Sequence, residues 1–248
     1  MTDTTGMLSP EEVQALFTRA GGDYLFARWG RPIVPVIFGV EAQTLAVVKG
    51  AIEAMVVLAG HKMADHDAEL GANLMMFFFR DWQELLEVPN LDQMIEGLQD
   101  LVVRLDDAGA NQYRVFRFDR DGAIRACFAF IRMDAALDEV PAETIALSQA
   151  AQMILLWSEG AFAGRSPLAL ARGVSVLRPE IAAVIAAGYD PVLPAVAQDA
   201  THALRLSARA GLRQAEAEAA SARLAQEMAR SHETAPPEDP DLKVEQGG

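Results

Sequence analysis

The segment Asn73–Phe79, NLMMFFF, is apolar and aromatic after its first residue. A continuous run of this length suits a strand buried on both faces, because a strand with one wet face alternates apolar and polar residues. Apolar elements must then cover it from two sides. Two helices offer themselves. From Glu41 to Ala59, Leu45, Val48, Ile52, Met55 and Val56 recur at helical spacing, and Val47, Ala51, Ala54 and Leu58 widen the face. This helix is predicted to be largely buried and to stop at Gly60. The second runs over 91–105, capped by Asn90 with Gln93 three residues on, its stripe formed by Leu91, Met94, Ile95, Leu98, Leu101, Val102 and Leu105.

The clearest hairpin pairs Tyr113–Phe118 with Ile124–Met133 across Asp119-Arg120-Asp121-Gly122, where Gly122 can take a positive φ. Ile33–Phe38 reads as a further strand, placed at an edge or bulge by Pro35. Ser9-Pro10-Glu11-Glu12 opens a helix with a capping box, predicted to end at Gly21-Gly22. No strand is predicted beyond Met133. Helices follow from Pro141 to about Trp157 and from Pro179 to Gly188, separated by a link over Gly160–Pro167. Gln198–Arg230 is a long Ala-rich helix whose apolar positions, Leu204, Leu212, Leu224 and Met228, are sparse. The stretch from Ser231 has the composition of a disordered tail. The expected fold class is therefore α+β: a small mixed sheet with packed helices and a helical C-terminal part. Its divisions are an N-terminal helix (1–22), an α+β domain (23–197), the long helix (198–230) and a tail (231–248).

Composition narrows the partners. With 51% hydrophobic residues, the 248-residue chain can build a full core. A formal net charge of −14 repels phosphate backbones, so neither nucleic acid nor an anionic membrane is an expected partner. A single cysteine, Cys127, cannot form an internal disulfide. The N-terminus lacks the pattern of a signal peptide, and the most apolar stretch, Thr44–Gly60, is interrupted by Lys49 and Glu53. The expected location is cytoplasmic.

The densest group of possible ligands is His61, Asp65, His66 and Asp67, between the first long helix and the apolar strand. Two histidines five residues apart do not match a single-helix metal spacing, so a solvated loop is the simpler reading and no metal or other cofactor is expected. His202 and His232 stand alone, and Cys127 reads as a small buried apolar residue. Arg205, Arg209 and Arg213 recur every four residues as a basic stripe, more often a solvated helix face than a phosphate site. No P-loop, dinucleotide-binding glycine pattern, nucleophile elbow, HExxH or paired CxxC is present.

Four stretches in order, over about residues 28–206, carry a resemblance. They are Arg28-Trp29-Gly30-Arg31-Pro32-Ile33-Val34-Pro35-Val36, Leu58-Ala59-Gly60-His61 leading to Ala72-Asn73-Leu74, the helix around Ala146–Ala150, and Gly188-Tyr189-Asp190-Pro191-Val192-Leu193. Together they resemble an uncharacterised bacterial family, often secreted or lipid-anchored, that is itself similar to zincin-like metallopeptidases. The resemblance implies a fold like the catalytic half of those enzymes, in which a helix after the sheet carries HExxH. Here that helix reads Glu143-Thr144-Ile145-Ala146-Leu147-Ser148-Gln149, without either histidine, and Glu143 and Gln149 are its candidate binding residues beside His61, Asp65 and His66. The implied fold is thus a degenerate one. The expected function is a non-enzymatic protein-binding or assembly module, taking another protein or a second copy through the inherited cleft or through the C-terminal helix at Leu204, Leu212, Leu224 and Met228. The alternative is a hydrolase with an unrecognised site using Glu143 with His61 or His66.

Overall fold

The computed structural model describes residues 6–233, with side chains over 6–226. Its helices are α1 (Pro10–Phe17), α2 (Ala42–Leu58), α3 (Leu91–Met94), α4 (Leu98–Asp107), α5 (Ala135–Asp138), α6 (Ala142–Met153), α7 (Pro179–Gly188) and α8 (Thr201–Glu233). A 3-10 helix spans Trp82–Glu87. The strands are β1 (Phe26–Ala27), β2 (Pro35–Phe38), β3 (Leu74–Phe79), β4 (Gln112–Phe118), β5 (Ile124–Arg132), β6 (Leu168–Ala171), β7 (Val174–Leu177) and β8 (Val196–Ala197).

The fold is α+β with a helical C-terminal region. Its main sheet has the order β2-β3-β5-β4, with β2, β3 and β5 parallel and β4 antiparallel to β5. The apolar run Leu74–Phe79 sits inside the sheet, as its composition requires. Alternation along the strands splits the interior into two cores. Leu74, Met76, Cys127, Ala129 and Ile131 join Val48, Ile52, Ile145 and Ala150 from α2 and α6. Phe77, Phe79, Phe128 and Phe130 face the other way, onto Trp82, Leu85, Leu98, Leu101 and Val102. Pro35, which has no N–H, lies on the edge strand β2.

Several sequence expectations need correction. The capping box at Ser9 and Glu12 is formed, but α1 ends at Phe17 rather than at Gly21-Gly22. The Arg19 N–H then donates to the Asp23 carbonyl and the Gly22 N–H to the Arg19 carbonyl, closing a turn. On α2, Val48, Ile52, Met55 and Val56 are buried, but Val57 is 71% exposed and Ala54 is also exposed; only one face packs. The single helix predicted over 91–105 is two, α3 and α4. The break falls at Gly97 with φ +67, a left-handed conformation that admits glycine without cost. Asn90 precedes α3 with φ +60 and makes no side-chain cap bond.

Strands do occur beyond Met133. β6 and β7 form a hairpin whose two turn residues, Arg172 and Gly173, both have positive φ, the signature of a type I′ turn. β8 pairs with β1, so Phe26 and Ala197, far apart in sequence, share one ladder. The long C-terminal helix is not separate from the core at its start. His202, Ala203, Leu206, Ser207 and Ala210 are buried, and α8 packs on α1 and α7. It also runs on to Glu233, past the boundary placed at Ser231. The tail over 234–248 and the side chain of Met228 lie outside the described residues. No helix among the described residues is long and apolar enough to cross a membrane.

Candidate functional site

The ligand-rich loop after α2 is built for structure. Asp67, 9% exposed, accepts bonds from the backbone N–H of Glu69 and Leu70, both at 2.9 Å, and from Asn73 Nδ2 at 3.0 Å. Arg31 pairs with it at 3.4 Å. Asn73, fully buried, then accepts from the Val34 N–H and donates to the Pro32 carbonyl, tying the loop to β2. Burial alone would raise the Asp67 pKa, but these donors together outweigh it and hold the carboxyl down at about 2.

His61 is turned elsewhere. Its Nε2 donates to the Arg31 carbonyl at 2.8 Å, and its ring packs against Tyr189. Burial holds its pKa below the ordinary histidine value. Asp65 and His66 are exposed; His66 lines a shallow cleft with Arg31 and Asp67. Among the described residues, no three His, Cys, Asp or Glu side chains are gathered as a metal would require.

Glu143 and Gln149 share a cleft of about 780 Å³ between α6 and the β6–β7 hairpin, and neither His61 nor His66 reaches it. Glu143 sits exposed in the first turn of α6. Gln149 is 2% exposed on the helix face that packs on the sheet, among Ile145, Ala146, Ala150 and Met153. A buried amide must find partners. Gln149 Oε1 accepts from Arg114 Nη2 at 2.7 Å, and its Nε2 donates to Gln112 Oε1 at 2.7 Å. Gln112 Oε1 also accepts from Arg114 Nη2, at 3.1 Å. Sequence reasoning singled out Gln149 but missed Arg114 and Gln112. The available signal was a basic residue in a hairpin strand at a position whose strand partner, Ala129, faces the core.

Gln112 and Arg114 of this triad also line a second cleft of about 650 Å³, with Phe116, Phe118, Trp157, Phe162 and Arg19. Arg19 donates to the Trp157 carbonyl at 2.8 Å and pairs with Glu159 at 3.3 Å. Cys127, fully buried across the strand pair from Phe116, has its thiol pushed up by burial to about 12, so it stays protonated and inert.

Two of the three arginines of the basic stripe on α8 are engaged, and Arg205 is exposed. Arg209 and Arg213 pair with Asp190 at 3.6 and 3.5 Å, so the Tyr189-Asp190-Pro191 segment pins the helix to α7. The remaining candidate positions, Leu204, Leu212 and Leu224, are 55%, 58% and 59% exposed. Comparison of the chain with protein-family models, curated proteins and solved structures gives no match.

Proposed function

We propose that this protein is a non-enzymatic binding module that assembles with a second copy through the projecting part of α8. One observation carries the reading. The face that docks α8 on the domain continues, uncovered, beyond it. At about 100° per residue, Ala217 and Leu224 stand in line with the fully buried Leu206, eleven and eighteen positions on. Yet every side chain from Ala215 to Gln226 is exposed. Leu204 and Leu212 lie off that line, so the interface expected is the Ala217–Leu224 face rather than one stripe through all three leucines. Small alanines on that face allow a second helix to approach closely, and Glu218 and Arg223 beside it supply both signs of charge for pairing.

A helix of this kind is marginal alone, and covering its exposed face stabilises it. The amide of Gln149 is committed to Arg114 and Gln112, and Glu143 has no histidine in its cleft, so the geometry supports binding more than hydrolysis. Sedimentation equilibrium of the full chain, of a chain ending at Gly211, and of Leu224→Glu tests the reading. The full chain should self-associate, and both variants should be monomeric with the domain's melting temperature nearly unchanged. A full chain that stays monomeric at high micromolar concentration would overturn it.

A further inference from the structure

We propose that the cleft over β4 is a binding site for a small carboxylate with a hydrophobic tail, and that Arg114 is the residue that recognises the carboxylate. Three arginines have an Nε–H sealed from solvent without a hydrogen-bond partner: Arg114, Arg125 and Arg132. Arg125 pairs with Glu69 and Arg132 pairs with Asp106, so their charges are balanced. Arg114 makes no ion pair among the described residues; its Nη2 meets only the neutral amides of Gln112 and Gln149. Scarcity of acids is not the reason, since the chain has 35 Asp and Glu against 21 Lys and Arg. Burial is costly enough to lower the Arg114 pKa to about 10, and the nearby protonated Cys127 thiol offers no countercharge.

An unbalanced cation in a low-dielectric setting favours any anion that can reach it. Arg114 lines a cleft through which such an anion can approach. Its aromatic walls, Phe116, Phe118, Trp157 and Phe162, and its volume of about 650 Å³ fit a small organic molecule. The other cation there, Arg19, is already matched by Glu159. The cleft therefore presents a single unmatched positive group among aromatic rings, the pattern that selects one carboxylate on an apolar body. The two glutamines are positioning residues: they hold Nη2, and so fix the guanidinium plane, without cancelling its charge. The inference is independent of α8 and of any self-association.

Calorimetric titration of the full chain with octanoate and 4-phenylbutyrate, each beside its own alcohol, tests the site. At least one acid should bind roughly ten-fold or more tightly than its alcohol, as a charge-assisted pair implies. Arg114→Gln should remove that preference while leaving the far-ultraviolet dichroism unchanged. Should Arg114→Gln misfold, Ala163→Trp, at the exposed rim, fills the cleft without touching the core and should abolish binding of the acid. The proposal is lost if neither acid is preferred over its alcohol by the wild-type protein, or if a folded Arg114→Gln, or a folded Ala163→Trp, binds the preferred acid as tightly as wild type.

Discussion

The hydroxyl of Tyr24 lies 2.8 Å from Nδ1 of His202, and both side chains are buried where α8 meets the start of the chain. The ring of His202 also packs on Phe26, with centroids 4.5 Å apart. Burial, then the nearby Arg205 and Arg28, hold the His202 pKa down at about 4, from an ordinary value of 6.5. The folded state therefore keeps this histidine neutral over a range in which the unfolded chain takes up a proton. Stability from this site is complete above about pH 6.5 and is lost as pH falls toward 4. The loss is on the order of 2–4 kcal/mol. Urea denaturation from pH 7.5 to 4.5 should show it, and Tyr24→Phe, which leaves Nδ1 unpaired, should lower stability at pH 7.5 by about 1–3 kcal/mol.

Asp67 behaves in the opposite sense. Its folded pKa of about 2 lies below the ordinary 3.8, so its contribution is present above about pH 3.8 and fades as pH drops toward 2. At neutral pH, Asp67→Ala should cost about 2–4 kcal/mol, because four donors lose their acceptor at once. Chemical denaturation of the variant measures this directly. A change within error of zero would mean that the loop is not held by its carboxylate.

Leu98, 4% exposed in α4, belongs to the core on the second face of the sheet. Leu98→Ala should cost about 2–5 kcal/mol by the removed contacts and the cavity left behind. An unchanged denaturation midpoint would contradict the packing of α4 on Phe128 and Phe130.

Gly39, at the end of β2, has φ +79, and a methyl group there would overlap the carbonyl of Phe78 in the neighbouring strand. Because the obstacle is backbone inside the sheet, neither partner can step aside. Gly39→Ala is expected to destabilise by more than about 2 kcal/mol, well beyond an ordinary surface change. Gly60→Ala has the same backbone strain at φ +62 but open space around it, so it should cost less. Melting temperatures of the pair separate the clash from the strain.

Local chemistry made much of this legible. The unbroken run at Leu74–Phe79 announced a strand covered on two sides, and Asp119–Gly122 announced the hairpin of β4 and β5. What failed was where two local signals competed. The stripe from Leu91 to Leu105 keeps helical period across Gly97, so periodicity outweighed a glycine that the fold uses to break the helix. Leu168-Ala169-Leu170-Ala171 and Val174-Ser175-Val176-Leu177 flank Arg172-Gly173, but alanine and leucine favour helices and masked the alternation. The Arg114–Gln149 pair could not be read at all. Its members are 35 residues apart, and only the sheet register and the docking of α6 bring them to 2.7 Å.

Strand β1 pairs with β8 and accepts a bond from the Leu156 N–H, and α1 rests on α8. During synthesis, Phe17 and Phe26, both fully buried in the folded chain, emerge well over 100 residues before Trp157, which stacks on Phe17, and His202, which packs on Phe26. At ordinary ribosomal speeds that is a wait on the order of ten seconds. Pairings this distant along the chain also form slowly once available. Until then these two rings form an uncovered apolar surface of the kind that makes partly folded chains prone to aggregate and dependent on chaperones.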